Sequence, residues 1–255
     1  MTNIEKNFLK FCEDIKNVLV PYKTNFEKIR IGDNGDGGYV ICDVGTPRNI
    51  LYSYGCDDNI KFEKSFKQKY ENSTMFVYDH TIEGITDKPD YIKFFKEGVW
   101  VEKTHDMDTI SNHVIKNGHE NETNMCMQMD IEGCEWSVIL ATPQSVLRQF
   151  AQIIIEFHFP LVFVYNNEQH MKQEQNQVLD TLQWLDENFT CVHIHGNNCL
   201  LQPWFDIDLP RCFEVTYVRR DLITSCHVED VQYPMELDSK NDSKKSEMVL
   251  KWWLK

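Results

Sequence analysis

ILYSYGCDDNIKFEKSFKQKYENSTMFVYD, residues 50–79, decides how this chain folds. It opens on an apolar run, ILYSY, that stops at Gly55. A helical segment follows, with Phe62 and Phe66 four apart on one face, and a second apolar run, TMFVY, ends in Asp79. Strand, turn, amphipathic helix and strand make a βαβ unit, whose strands lie parallel because the helix carries the chain back.

Outward from this unit the same order repeats. VWVEKT (99–104) reads as a third strand and MDTISNHVIKNG (107–118) as a helix stopped by Gly118. MCMQMDI (125–131) is the fourth strand, CEWSVILAT (134–142) a short helix ended by Pro143, and AQIIIEFHF (151–159) the near-continuous apolar run of a buried parallel strand. A long amphipathic helix spans 170–188, and TCVHIHG (190–196) and FEVTYVRR (213–220) are strands six and seven. No helix separates these two, so the last strand is expected to run antiparallel. Upstream, KIRIGDNGDGGYVICD (28–43) is two β-rich pieces around a glycine and aspartate cluster. The amino terminus reads as an amphipathic helix, without the basic cap and apolar run of a signal peptide. The expectation is one α/β domain over 1–255. It has a helical appendage (1–27), a core (28–235) and a polar tail (236–255), and its seven-stranded, mostly parallel sheet carries helices on both faces.

Charge and cysteine usage narrow the function classes. The 26 Lys and Arg stand against 40 Asp and Glu, a net charge of -14 that argues against a nucleic-acid partner. No stretch approaches the roughly 18 apolar residues of a membrane span. The odd count of nine cysteines, with no Cys-x-x-Cys pair, excludes a zinc finger and suggests free thiols in the reducing cytoplasm.

In open α/β sheets ligands bind at the carboxyl ends of the strands. Gly55 follows strand one, where a missing side chain admits a ligand, and Asp79 ends strand two, where an acid can accept from both ribose hydroxyls. Each alone is equally a turn glycine or a solvated aspartate; together they point to a nucleoside. The turn CDDNIKFE lacks a G-x-G-x-x-G or phosphate-loop pattern, and Asp57 and Asp58 repel phosphate, so a cationic ligand suits it. Asp58 alternatively caps the next helix. Strand four delivers Asp130, Glu132 and Glu135, strand five Glu156 and His158, and strand six His193 and His195. Such groups deprotonate an acceptor or ligate a metal, or else simply pair with one another. Glu132 and Glu135 read as helix-start residues.

Taken together, RIGDNGDGGYV, YSYGCDDNIKFE, VYD, QMDIEGCEWSVIL, IIIEFHF and HIHGNN resemble the FkbM-type and related methyltransferase-like proteins. The resemblance covers roughly residues 28 to 235; the Asp-x-Glu-Gly-x-Glu segment at 130–135 is its most specific piece and Asp-Gly-Gly-Tyr at 36–39 the next. The first glycine motif departs from the family, keeping only Gly55. What the resemblance implies is the Rossmann-like class I methyltransferase fold and transfer of the S-adenosylmethionine methyl group to an oxygen, often of a sugar or other small metabolite. By position it implies Gly55 and Asp57 beside the methionine part, Asp79 on ribose, Asp106 or Asp108 near adenine, and Gly37 and Gly38 at the mouth. Asp130, Glu156, His158 and His195 are the candidate bases, Asp130 and Glu156 first. Asp130, Glu156 and His158 are the candidate ligands of a divalent metal such as magnesium. The partner is a small-molecule or glycan acceptor. Methylation of nitrogen on a protein side chain, and a nucleoside-binding interaction module, are the competing readings.

Overall fold

A computed structural model describes residues 2–45, 49–159, 168–199, 201–204 and 207–250. The closing residues 251–255 of the expected tail lie outside the described residues. Seven strands build the main sheet: β1 (Ile50–Tyr54), β2 (Thr74–Tyr78), β3 (Ile92–Phe95), β4 (Met125–Met129), β5 (Phe150–His158), β6 (Phe189–Gly196) and β7 (Cys212–Arg219). Their order is β3-β2-β1-β4-β5-β7-β6. β1 to β5 pair parallel, and β7 runs antiparallel between β5 and β6. This is the Rossmann-like class I methyltransferase topology. Its order reverses between β1 and β4, which places the ligand crevice there.

The third strand differs from expectation. VWVEKT does not enter the sheet; Gly98–Val99 makes only a two-residue parallel ladder with Met107–Asp108. β3 is IKFF instead, an edge strand with β2 as its neighbour. An edge tolerates a charge, and Lys93 sits with its Nζ 4.7 Å from the Phe76 ring centroid, so the strand carries no apolar run to betray it.

Among the described residues the α-helices are α1 (Asn3–Val18), α2 (Lys61–Lys69), α3 (Ile110–Lys116), α4 (Glu135–Ala141), α5 (Gln144–Leu147) and α6 (Glu168–Asp186). Tyr52, Phe76, Met127 and Ile155 bury one sheet face against residues of α1, α3, α4 and α6. Leu51, Val77, Cys126 and Ile154 bury the other against α2 and the antiparallel ribbon of Glu27–Ile31 with Tyr39–Asp43. That second face is thus shared between one helix and a ribbon. Described residues on both sides of the 28–235 core pack against it. α1, opened by a Thr2–Glu5 capping box, buries Phe8, Phe11, Cys12 and Ile15 in the larger core. Met248 and Leu250 of the tail join the same core.

Candidate active site

A cavity of about 470 Å³ opens where the strand order reverses, lined by residues of the β1, β2 and β4 ends, the ribbon, α2 and the Gly98 and Met107 bridge. The residues that build it are held in place from below. At Gly55 φ is +80°, and a Cβ would fall 1.8 Å from the Asp130 carbonyl oxygen. Only glycine lets β1 leave the sheet against the end of β4. Asp57 and Asp58 follow with φ of 40° and 59°, a left-handed pair that needs outside support. Asp79 supplies it: its Oδ2 accepts from the Cys56 and Asp57 amides at 3.0 and 3.1 Å. Its Oδ1 accepts from the Thr81 amide and hydroxyl at 2.8 and 2.6 Å. Burial opposes ionisation of Asp79, but these donors outweigh it and hold the carboxyl below its ordinary range. Asp58 accepts from the Thr86 amide and hydroxyl, so it pins the 81–86 loop rather than capping α2.

On the β4 side the segment after Asp130 wraps around Glu135. This buried carboxylate accepts from the Ile131 and Gly133 amides and faces His158 Nδ1 at 3.0 Å. His158 Nε2 turns toward Glu132 at 3.5 Å and Asp130 at 3.9 Å. Burial works against a charge on His158, but Cys212 and the Glu135 carboxylate outweigh it, and its pKa is pushed up to about 12. Asp130 is 29% exposed at the cavity wall. Burial, resisted by His158 and reinforced by Glu135, Glu132 and Asp36, raises its pKa to about 7.

Asp79 and Asp130, on strands flanking β1, share this one cleft. Gly37, Gly55 and Asp57 line it with them. Glu156 stands one layer back, buried, accepting from Asn197 at 2.7 Å and from the Tyr39 hydroxyl at 3.3 Å. Burial, with Asp130 and Glu214 close by, pushes its pKa well up.

Besides Glu156 and His158, four expected residues do not reach the cavity wall. Gly38 packs inside the ribbon turn, where a Cβ would lie 2.1 Å from the Asp33 carbonyl oxygen. Asp106 touches the Thr104 hydroxyl with its side chain and the Gly98 amide with its carbonyl. Asp108 is buried on the α3 side, bonded to the Thr109 amide, Asn112 and Lys116. His195 is fully buried between Glu214 at 2.9 Å and Glu247 at 3.4 Å. For Asp108 and His195 these partners lie within the fold, whereas Asp106 is exposed.

The expected metal trio is divided as well. His158 groups with Asp130 and Glu132, and separately with Glu156 and Cys212. His158, which both groups share, already faces the Glu135 carboxylate with its Nδ1.

Sequence reasoning passed over Tyr39, Asn59, Glu63, His80, Thr81, Gly98, Met107 and Gln128, all of which line the cavity. A signal existed for some. His80 and Thr81 directly follow the strand-two acid, and Gln128 lies two residues before Asp130, on the same strand face.

Among the described residues the lining carries six carboxyl groups, Asp36, Asp57, Glu63, Asp79, Asp130 and Glu132, and no Lys or Arg. Among the described residues no helix is long and apolar enough to cross a membrane. Similarity to solved structures is distant. A putative hemolysin from Streptococcus thermophilus is 8% identical with a TM-score of 0.41; the match covers 78% of this chain, which spans 63% of that one. A 16S rRNA (adenine(1408)-N(1))-methyltransferase from Catenulisporales acidiphilia is 12% identical with a TM-score of 0.35, covering 69% of this chain and 87% of that one. The plantazolicin methyltransferase BpumL, in complex with SAH and a substrate analog, is 10% identical with a TM-score of 0.32, covering 85% and 84%. No curated protein matches the sequence. The strand order therefore stands on its own as the description of the fold, and a family model joins it: one described as a methyltransferase domain matches residues 14–161. That is more than half of the 255 residues, and the chain belongs to this methyltransferase-domain family.

Proposed function

We propose that the protein transfers the sulfonium methyl group of S-adenosylmethionine to a hydroxyl oxygen of a small acceptor, a sugar or another metabolite, as its FkbM-type resemblance implies. The observation that carries the cofactor reading is the cavity lining of six carboxyl groups with no Lys or Arg among the described residues. That field attracts a ligand bearing a sulfonium and an ammonium, and repels the pyrophosphate of a nicotinamide cofactor. Gly55 and Asp57 flank the methionine part. Asp79 takes ribose by exchanging the Thr81 hydroxyl for a ribose hydroxyl. Adenine lies toward His80, Gly98, Val99 and Met107, in place of the expected Asp106 or Asp108.

An acceptor oxygen lone pair attacks the methyl carbon in line with the departing sulfur; the carbon–sulfur bond breaks and its electron pair stays on sulfur. Holding donor and acceptor in that line supplies roughly 7–11 kcal/mol of barrier reduction. The hydroxyl proton passes to Asp130, whose pKa of about 7 suits a base working near neutrality. Burial, with Glu135 and Glu132 close by, keeps that pKa high, and Glu156 stays bonded to Asn197 and Tyr39. His158, protonated, stabilises the Asp130 and Glu132 carboxylates rather than serving as a base, and no step is assigned to a metal.

Labelled methyl transfer from S-adenosylmethionine to a panel of sugars and hydroxylated metabolites tests this reading. On the acceptor so found, Asp130→Asn is expected to lower turnover by about 10²- to 10⁴-fold, and Glu156→Gln to lower it less, with cofactor affinity retained in both. Wild-type turnover in Asp130→Asn removes the base assignment; transfer to amines alone removes the oxygen assignment.

A further inference from the structure

The floor of the cavity holds a polar group that the reaction above leaves without a task. Glu63, on the first turn of α2, lines the cavity yet is only 2% exposed. Its Oε1 meets the Ser53 hydroxyl, which in turn contacts Gln128 Oε1 at 2.7 Å. Its Oε2 is buried without a hydrogen-bond partner. One hydroxyl hydrogen cannot serve both contacts of Ser53, so, with Oε2 unpaired in either case, the Gln128 amide is turned to donate to Ser53 or Glu63 carries a proton and donates it there. Burial supports that state by pushing the Glu63 carboxyl up from its ordinary range, against the Ser53 bond that lowers it.

Glu63 differs in this from the acids around it. Asp79 is saturated by Thr81 and the loop amides, and Asp130 faces an imidazolium. A buried carboxyl oxygen left unpaired at the end of a cavity is unfavourable until a donor arrives. An ammonium brings three N–H donors and a positive charge. It can bond Glu63 Oε2 as a carboxylate, any proton the acid carried passing to solvent. The position agrees: Ser53 and Gln128 are register partners two residues inside Gly55 and Asp130.

We propose that Glu63, backed by Ser53 and Gln128, receives the ammonium group of the cofactor's methionine part and so makes the site selective for a nucleoside bearing an amino acid. This rests on the S-adenosylmethionine reading. The test is calorimetry of wild type and Glu63→Gln with two probes, S-adenosylhomocysteine and 5′-methylthioadenosine, the second lacking the amino acid. Gln is isosteric with the protonated acid, so thermal melting is expected to change little. Loss of one charged hydrogen bond weakens binding by about 10- to 150-fold. That loss is expected for S-adenosylhomocysteine alone, with 5′-methylthioadenosine held within about twofold. Equal losses for both probes, or no loss for either, overturn the role of Glu63 while leaving the cofactor reading intact. Failure of wild type to bind either probe overturns the cofactor reading itself. If Glu63→Gln does not fold, Glu63→Asp, which keeps the charge but withdraws it by one methylene, serves the same comparison; its loss must again be confined to S-adenosylhomocysteine.

Discussion

The two faces of β1 and β2 are made by the same short strands and could hardly differ more. One presents Tyr52, Tyr54, Phe76 and Tyr78 in a stacked ladder with His113 against Tyr78 at 4.0 Å between ring centroids. The hydroxyls of Tyr52 and Tyr78 both accept from Asn117, and Tyr52 also meets His119 Nδ1 at 2.7 Å. The other face runs from Ser53 to Gly55 and looks onto carboxyl groups, of which Glu63 Oε2 and Asp130 Oδ1 are buried without hydrogen-bond partners. The aromatic face meets most of its polar needs from within and so holds the sheet together. The acidic face leaves some of its needs open, and that is where a ligand contributes.

The comparison can be broken at its hinge. Gly55→Ala forces a Cβ into the Asp130 carbonyl at a positive φ; we expect a loss of about 2–4 kcal/mol of folding stability in urea, together with loss of cofactor binding. Unchanged stability contradicts the close approach of β1 to β4.

On the acidic face the next largest effect is a pH dependence. Asp130 is a base only when ionised, and its pKa lies at about 7. Single-turnover methyl transfer should therefore rise with pH through about 7, falling about tenfold for each unit below it. A rate flat from pH 5 to 8 removes Asp130 from the chemistry.

Changes on the aromatic face should alter stability and leave ligand affinity alone. Tyr52→Phe removes a hydroxyl shared by His119 and Asn117, and is expected to cost about 1–2 kcal/mol in urea unfolding with cofactor affinity unchanged. The smallest effect belongs to His113, whose pKa burial lowers to about 4 from 6.5. Unfolded chains take up this proton first, so its contribution to stability is present above about 6.5 and is lost as pH falls toward about 4. His113→Leu should flatten the stability profile across that window; an unaltered slope assigns the slope to other groups.

Much of the fold was legible because strands buried on both faces must be largely apolar, as Ile153, Ile154 and Ile155 of β5 are. β3 was not, since an edge strand is free to carry Lys93. At the site, legibility followed chain position. Gly55, Asp79 and Asp130 stand at strand ends, where direction hardly matters, and all three reach the cavity. Glu63, Gln128 and Tyr39 lie within elements, and their direction depends on which face the sheet turns to α2 and the ribbon. Alternation by two from Asp130 reaches Gln128, but nothing local brings Glu63 to Ser53. Asp108 misled for the opposite reason: its acidity is spent on Lys116, a partner one helix away.

Calorimetric titration of the wild-type protein with S-adenosylmethionine, and in parallel with NAD, measures most directly whether the acidic cavity selects a cationic nucleoside. The structure predicts a saturable heat with S-adenosylmethionine, weakened by salt, and none with NAD. Binding of NAD with no response to S-adenosylmethionine would contradict it.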